Sequence, residues 1–393
     1  MATGDIYSLY LEEITPTGDA LGRFEGKTIF VKGGAPDETV NCRITEERKT
    51  WSKAELLEIT KPSPVRTDSV CKYYGKCGGC NLAHINYDAQ LAVKRKILKD
   101  SFLKTSGQPP PEIITIDCNL PWEYRNRIQF HCLRNNYSFG FKEQGSGEII
   151  HVSDCPVAVH GIREFLSKPK NPREKSFSIP PEKDRFTVFS KDDVFLNEGG
   201  QKRGKIKLLD REILVDTEVF FQSNCFMLEK FILELKKEAC KADQSLPMAD
   251  LYGGVGTFAL FLCDFFPGII LAEENKTAVS AARENLRGKD AEFFTLKDTD
   301  WQKILTHKIS RCGFAVADPP RAGLAQKLAV SLAQTGPPVL AYVSCDPASL
   351  ARDSKILTDG IYKLKKLDFF DFYPQTSHIE SLAVFELKST TPL

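Results

Sequence analysis

Apolar and polar residues alternate over short runs between residues 5 and 60: Tyr7, Leu9 and Leu11, then Thr28 and Phe30, then Val40, Cys42 and Ile44. The runs are separated by turn pairs such as Gly18-Asp19, Glu25-Gly26, Gly33-Gly34 and Pro36-Asp37. A period of two with frequent turn residues predicts short strands forming a small barrel. Lys61-Pro-Ser-Pro stops the pattern, because neither proline can donate to a strand ladder. A cysteine-rich loop follows, then a helical stretch from about Tyr87 to Leu103. Residues 112–222 return to strand character, with Arg127 to Leu133, Tyr137 to Phe141 and Lys205 to Leu209 as candidates. From Phe226 onward helices (Leu228–Cys240, Phe258–Phe265, Thr277–Leu286) alternate with strands (Met248–Tyr252, Ile269–Ala272, Phe314–Ala317, Val339–Ser344). That alternation predicts a parallel, doubly wound sheet. The chain thus reads as α/β with three units: a barrel over 1–60, a strand-rich central unit over 61–225, and a Rossmann-like unit over 226–393.

Composition agrees with several packed cores. The 393 residues are 42% hydrophobic and 27% charged, values of an ordinary globular protein of more than one domain. The start lacks the basic and apolar regions of a signal peptide, and the longest apolar stretch, Phe258 to Ala272, is broken by Asp264 and Pro267. The expectation is a cytoplasmic protein with no membrane segment. Its twelve cysteines should then be reduced, so clustered ones are read as metal ligands or nucleophiles rather than disulfides. A net charge of +1 says little, but nine Lys/Arg against three acids between Lys61 and Lys104 make a local basic run. It suits phosphate binding, and equally an ordinary solvated helix face.

In doubly wound sheets ligands bind beyond the carboxyl ends of the strands. The strand Met248 to Tyr252 runs into Gly253-Gly-Val-Gly256-Thr257 and then a helix. The next strand ends in Glu273, an acid suited to the hydroxyls of a ribose. Asp250 before the glycines, and Ala259 where a third glycine would complete the dinucleotide spacing, favour S-adenosylmethionine over a dinucleotide, although both fit a glycine turn.

Two further strand ends carry reactive groups. Asp318-Pro-Pro-Arg321-Ala-Gly follows one strand, and Ser344-Cys345-Asp346-Pro347 another, while His378-Ile-Glu380 precedes a closing strand, Ser381 to Phe385. Carbon 5 of a neutral pyrimidine is a poor nucleophile. A thiolate added to carbon 6 makes carbon 5 an enolate carbon that accepts a methyl group, and a base must then remove the carbon 5 proton. Cys345 and Glu380 fit the two roles. A free thiol of pKa about 8.5 is mostly protonated at neutral pH, so the site must depress that value or take the proton.

Taken together, Asp250-Leu-Tyr-Gly-Gly-Val-Gly-Thr-Phe, Asp318-Pro-Pro-Arg-Ala-Gly, Tyr342-Val-Ser-Cys-Asp-Pro-Ala-Ser-Leu-Ala-Arg-Asp353 and His378-Ile-Glu380 resemble the signatures of the RNA uracil-C5-methyltransferase family, over nearly the whole chain. The resemblance implies Cys345 as nucleophile and Glu380 as base. It implies Gln222, Tyr252, Thr257, Glu273, Asp298 and Asp318 as contacts to S-adenosylmethionine. Two positions depart from it: Gly253 stands where relatives often have Cys or Ala, and Thr257 where some have Asn.

Cys71, Cys77 and Cys80 lie in a loop with Gly75, Gly78 and Gly79, and Cys155-Pro156 is a candidate fourth ligand. Four thiolates suit an iron–sulfur cluster or a structural zinc ion. The resemblance leans to a [4Fe-4S] cluster, found in some family members. Cys42, Cys118, Cys132, Cys225, Cys240, Cys263 and Cys312 are read as core or incidental. Gly18-Asp-Ala-Leu-Gly-Arg, Gly26-Lys-Thr-Ile-Phe-Val and Gly34-Ala-Pro-Asp-Glu-Thr-Val resemble a TRAM domain, an RNA-binding barrel. Barrel and cysteine cluster together are similar to the 23S ribosomal RNA members of the family. The implied partner is therefore RNA, with no obligate protein partner. The alternatives are a transfer RNA substrate, methylation of cytosine, or an RNA-binding metalloprotein without catalysis.

Overall fold

A computed structural model describes residues 2–133, 138–168 and 183–388. Tyr137, part of one expected strand, and residues 389–393 of the third unit lie outside the described residues. Strands β1 (Ile6–Ile14), β2 (Ala20–Phe24), β3 (Lys27–Lys32), β4 (Glu38–Glu47) and β5 (Trp51–Lys61) close a barrel in the order β1-β2-β3-β5-β4. Leu9, Leu11, Val40, Cys42 and Ile44 point inward and are buried as the alternation predicts, but in β3 the inward residues are Ile29 and Val31, and Phe30, expected from the alternation, lies half-buried on the other face.

Helix α1 (Tyr87–Ser106) starts at Asn86, whose side chain accepts from the Ala89 amide, and stops at Gly107 in a left-handed conformation. The basic run around it is not one surface. Arg66 pairs with buried Glu38, and Lys94 is wholly buried against Asp371, 2.6 Å away. The lysines and arginines left for phosphate are therefore fewer than the sequence count.

Short strand β6 (Ile113–Ile116) leads into the central sheet of β7 (Arg127–Leu133), β8 (Ser138–Lys142), β9 (Ile149–Ile150), β10 (Arg185–Lys191) and β11 (Val194–Asn197). Helix α2 (His160–Ser167) covers it over a core of Phe130, Phe139, Phe165 and Phe186. A hairpin, β12 (Arg203–Leu208) and β13 (Arg211–Asp216), joins this part to helix α3 (Cys225–Ala239).

The remaining elements are β14 (Met248–Leu251), α4 (Thr257–Leu262), β15 (Ile269–Glu273), α5 (Lys276–Asn285), β16 (Ala291–Thr295), α6 (Asp298–Ile304), α7 (Thr306–Ile309), β17 (Phe314–Ala317), α8 (Gln326–Thr335), β18 (Val339–Ser344), α9 (Pro347–Asp359), β19 (Tyr362–Phe370) and β20 (Glu380–Leu387). They build an eight-stranded sheet in the order β16-β15-β14-β17-β18-β20-β19-β6. Strands β14 to β18 are parallel, as the alternation predicts, and β14 and β17 are buried at every position because helices cover both faces. The sheet is not parallel throughout: β20 inserts between β18 and β19, antiparallel to both. Its edge is supplied by β6, from outside the third unit, in parallel register with β19. Among the described residues no helix is long and apolar enough to cross a membrane.

Candidate active site

Strand β14 has β15 on one side and β17 on the other, so the chain leaves it in both directions and opens a crevice at the carboxyl ends. A cleft of about 850 Å³ occupies that place, and Gln222, Tyr252, Glu273, Asp298, Asp318, Cys345 and Glu380 all line it. Thr257, the first residue of α4, does not. A second groove of about 830 Å³ between α2 and the β10–β11 hairpin holds none of the expected site residues.

On the cofactor side the glycine turn is shaped by its neighbours. Buried Asp250 does not line the cleft; one carboxylate oxygen accepts from the Ala259 amide at 2.9 Å and fixes the start of α4. An added Cβ at Gly253 would lie 2.8 Å from Leu271 Cγ, so the departure from larger family residues matches a lack of space. Glu273 accepts from the Gly254 amide at 3.1 Å and the Asn275 amide at 2.8 Å, which holds its carboxylate at the mouth of the turn. Tyr252 takes a left-handed φ of 60°, costly for a residue with a Cβ. It is held there by a tilted ring contact with Trp301, with ring centres 4.5 Å apart, and by donating to Asp298 at 3.1 Å. The side-chain carbonyl oxygen of Gln222 is buried with no hydrogen-bond partner, an acceptor open to a ligand's donor.

On the reactive side the strand register does the placing. Ser344 pairs with Ser381 in the antiparallel β18–β20 ladder, so the preceding Glu380 stands opposite Cys345, the residue that follows Ser344. Asp346 caps α9, accepting from the Ser349 amide at 2.7 Å, and its own amide donates to Ser344 Oγ at 3.2 Å, so the Cys345 backbone is clamped on both sides. The Asp318 loop is braced from below by the far end of its companion motif. Asp353 accepts from the Leu324 amide at 2.8 Å and from Tyr342 Oη at 2.7 Å, and Gly323, at φ 79°, leaves no room for a Cβ against that carboxylate.

The groups crowd one another electrostatically. Burial, then the Glu380 and Asp318 carboxyls, push the Cys345 thiol up to about 12, with Arg321 opposing. Burial, with Glu273 adding to it, raises Asp318 to about 7. Burial and then Asp318 hold Glu380 well above the usual carboxylate range. The first of the two sequence expectations for the thiol is therefore not met: burial and the two carboxyls raise its pKa rather than depressing it. His378, pushed down to about 4 by burial and then by Arg321, is neutral and lies 3.3 Å from the Arg321 guanidinium.

Several lining residues were not singled out in the sequence, notably Arg125, Arg127 and Phe220. Arg127 Nε is buried without a partner, and its guanidinium lies 6.0 Å from the exposed Phe220 ring. The pair sits on strand β7 and the loop after β13, and only the alternation of Tyr124-Arg-Asn-Arg-Ile-Gln hints that both arginines share one face.

The loop of Cys71, Cys77 and Cys80 packs against the turn after β8: the Gly78 amide donates to Lys142 O at 3.0 Å, and Cys77 bridges Glu143. Cys155 is close enough that its charge, after burial, raises the Cys80 thiol, to about 12. All four are half-buried free thiols. Among the described residues no three metal-binding side chains gather around one point.

Comparison with known proteins now gives the lineage. An RNA methyltransferase of uncharacterized role from Treponema denticola is 31% identical over 92% of this chain and 94% of its own length. The model for tRNA (Uracil-5-)-methyltransferase matches residues 201–388. The chain belongs to the RNA (uracil-5-)-methyltransferase family. This methyltransferase also matches the TRAM domain model over residues 3–57, which assigns the barrel. The 23S rRNA (uracil(1939)-C(5))-methyltransferase RlmD of Shewanella halifaxensis is 28% identical over 97% of the chain and 96% of that protein. The fold matches that of Pyrococcus abyssi tRNA (uracil-54, C5)-methyltransferase, solved with S-adenosyl-L-homocysteine, at a TM-score of 0.73 and 23% identity, covering 96% of this chain and 100% of that one. The protein is thus an S-adenosylmethionine-dependent RNA uracil-C5-methyltransferase.

Proposed function

We propose that the enzyme methylates a uridine of 23S ribosomal RNA through a covalent adduct of Cys345, with Glu380 removing the carbon 5 proton. The observation that carries this reading is the register that sets Glu380 opposite Cys345 in the cleft that Asp318, Tyr252 and Glu273 also line. S-adenosylmethionine, bound along Gln222, Tyr252, Glu273 and Asp298, supplies an electrophilic methyl group. Cys345 sulfur adds to carbon 6, and the electron pair moves to carbon 5, which takes the methyl group as its bond to the sulfonium sulfur breaks and S-adenosylhomocysteine leaves. Glu380 then accepts the carbon 5 proton, the carbon 5–carbon 6 bond becomes double again, and the sulfur leaves as thiolate. A thiol near 12 does not ionise unaided at neutral pH. A cationic ligand in the cleft lowers it, and the Asp318 carboxylate, the other acid acting on the thiol, takes the proton, which leaves Glu380 free to accept the one from carbon 5. Arg127, buried and lacking a carboxylate partner on Nε, suits an RNA phosphate at the rim.

End-to-end similarity to proteins named for that substrate supports 23S ribosomal RNA; the barrel supports RNA in general, since the fold of the transfer RNA enzyme also covers 96% of the chain. Cys71, Cys77, Cys80 and Cys155 are four half-buried thiols within each other's field, the donor chemistry that a [4Fe-4S] cluster takes, although among the described residues no three of them gather around one point. Iron and acid-labile sulfide in anaerobically purified protein are expected, and a stoichiometric zinc content would replace the cluster by zinc. The central test is 5-fluorouridine RNA, whose carbon 5 carries no removable proton. With cofactor, the wild-type enzyme is expected to form an adduct stable to denaturation, and Cys345→Ala to form none while still binding RNA. An adduct retained in Cys345→Ala would refute the role. Mapping of 5-methyluridine in cells with and without the gene separates ribosomal from transfer RNA, and cytosine from uridine.

A further inference from the structure

The loop that ends in Glu380 makes few of its anchoring bonds to the sheet that it joins. Asn224 Nδ2 donates to Phe372 O at 3.1 Å, Lys94 Nζ to Tyr373 O at 2.9 Å, and Tyr124 Oη to Pro374 O at 2.8 Å. The Gln375 carbonyl accepts from the Asn81 and Leu82 amides at 3.1 and 3.0 Å. Gln375 itself is buried at a left-handed φ of 68°, a conformation that must be imposed by its surroundings. Gln90 imposes it, exchanging two side-chain bonds with Gln375 at 2.8 and 3.0 Å.

Asn81 is the point where three parts of the molecule meet. It directly follows Cys80 at the end of the cysteine loop. Its Oδ1 accepts from the Ser377 amide at 2.8 Å, and its Nδ2 donates to Ser377 Oγ at 3.1 Å and to the Thr17 carbonyl of the barrel at 2.8 Å. The barrel is fitted to it: a Cβ on Gly18 would fall 2.2 Å from Asn81 Nδ2, and Gly18 holds a φ of 86°. Ser377 lies three positions before the base, so a shift of this clamp moves the start of β20 directly.

We propose that Asn81 is a positioning residue for Glu380. It locks the Gln375–Ser377 segment to the cysteine loop and the barrel turn, so that its loss slows removal of the carbon 5 proton and spares methyl transfer. The inference rests on the Cys345 and Glu380 roles proposed above. Misplacing a reacting group by about 1 Å costs up to about 100-fold in rate, whereas Cys345, between the end of β18 and the Asp346 cap of α9, is outside the clamp.

The test uses the full-length enzyme, a uridine RNA and cofactor with a radiolabelled methyl group, in single turnover. Formation of the labelled protein–RNA adduct and its decay to free methylated RNA are timed separately. For Asn81→Ala the decay is expected to slow by at least about tenfold, and formation to change by less than about twofold. Gly18→Ala, which displaces the same side chain from the barrel side, is expected to give the same partition, and Glu380→Gln a more extreme one. A merely structural defect lowers the active fraction and leaves both rate constants as they were. That result, or an equal slowing of the two steps, would overturn the proposal. Should Asn81→Ala fail to fold, Ser377→Ala removes one partner only, and its decay is expected to slow about threefold; an unchanged decay there counts against the clamp. Failure of the underlying reading looks different: the wild type itself would then form no methylated adduct, or Glu380→Gln would release product at the wild-type rate.

Discussion

Apart from Gln222, the cofactor side of the cleft comes from one stretch, Asp250 to Asp318, in which strand ends and the turns after them are stabilised by near neighbours such as Ala259 to Asp250 and Gly254 to Glu273. The loop before Glu380 depends instead on Asn81, Gln90, Lys94, Tyr124 and Asn224, all far away in sequence. On the roles proposed above, most of the S-adenosylmethionine site is held by local contacts, while the segment that carries Glu380 is anchored by the N-terminal and central parts. Methyl-donor binding and proton removal are therefore separable by mutation.

The largest expected effect lies on the docked side. Lys94 and Asp371 are fully buried, and Lys94→Met leaves the Asp371 carboxylate without its counter-ion. Loss of one partner of such a pair costs about 3–5 kcal/mol, measurable by urea denaturation, whereas cofactor affinity of the folded protein should stay within about twofold. A variant as stable as wild type would mean that the loop is not held through this pair. Next in size, Glu273→Ala removes the acceptor of two turn amides and a ligand for ribose hydroxyls. The KM for S-adenosylmethionine should rise about tenfold, with decay of the Cys345 adduct unchanged; a slowed decay would erase the distinction between the two sides.

The smallest effect is one of pH. Buried Asp250 and half-buried Asp318 have carboxyls raised to about 7 from 3.8. The unfolded chain therefore loses these protons at lower pH than the folded protein. Stability falls as pH rises through the window from 3.8 to about 7, and levels off above it. Asp318→Asn removes one share of that slope and should raise the melting temperature at about pH 8 by roughly 2–4 °C, with little change at acid pH. Equal melting temperatures at about pH 8 would place the Asp318 carboxyl in a better solvated setting than the cleft provides.

Legibility in the sequence follows the same division. The barrel and the strands β14, β15, β17 and β18 are visible as periodic apolar runs because their stability is local, and the site residues at their ends could be named from strand-end position and motif. Strands β16 and β19 were not anticipated: Ala291-Glu-Phe-Phe-Thr is short, and Tyr362-Lys-Leu-Lys-Lys-Leu-Asp carries lysines through a strand whose inner residues face the core. Nor could β6 be assigned to a sheet whose other strands begin more than a hundred positions later. The roles of Asn81, Gln90 and Lys94 are invisible for the same reason: each bonds across the chain, and Lys94 in particular reads as one more surface charge of a basic run. Arg66 misleads in the same way, bonded as it is to buried Glu38.

Strand β6 also bears on how the protein avoids sticking to itself. Strand β19 has a row of backbone donors and acceptors that would invite another chain to add on, and Ile113–Ile116 covers its second half, Leu367–Phe370. The new rim is only four residues long, too short to template much. Because β6 precedes β19 in the chain, it leaves the ribosome first, and the exposed border of the growing sheet meets its cover as soon as it is made. A fragment cut to the C-terminal unit alone would lose that cover and is expected to aggregate through β19, even with its glycine turn intact.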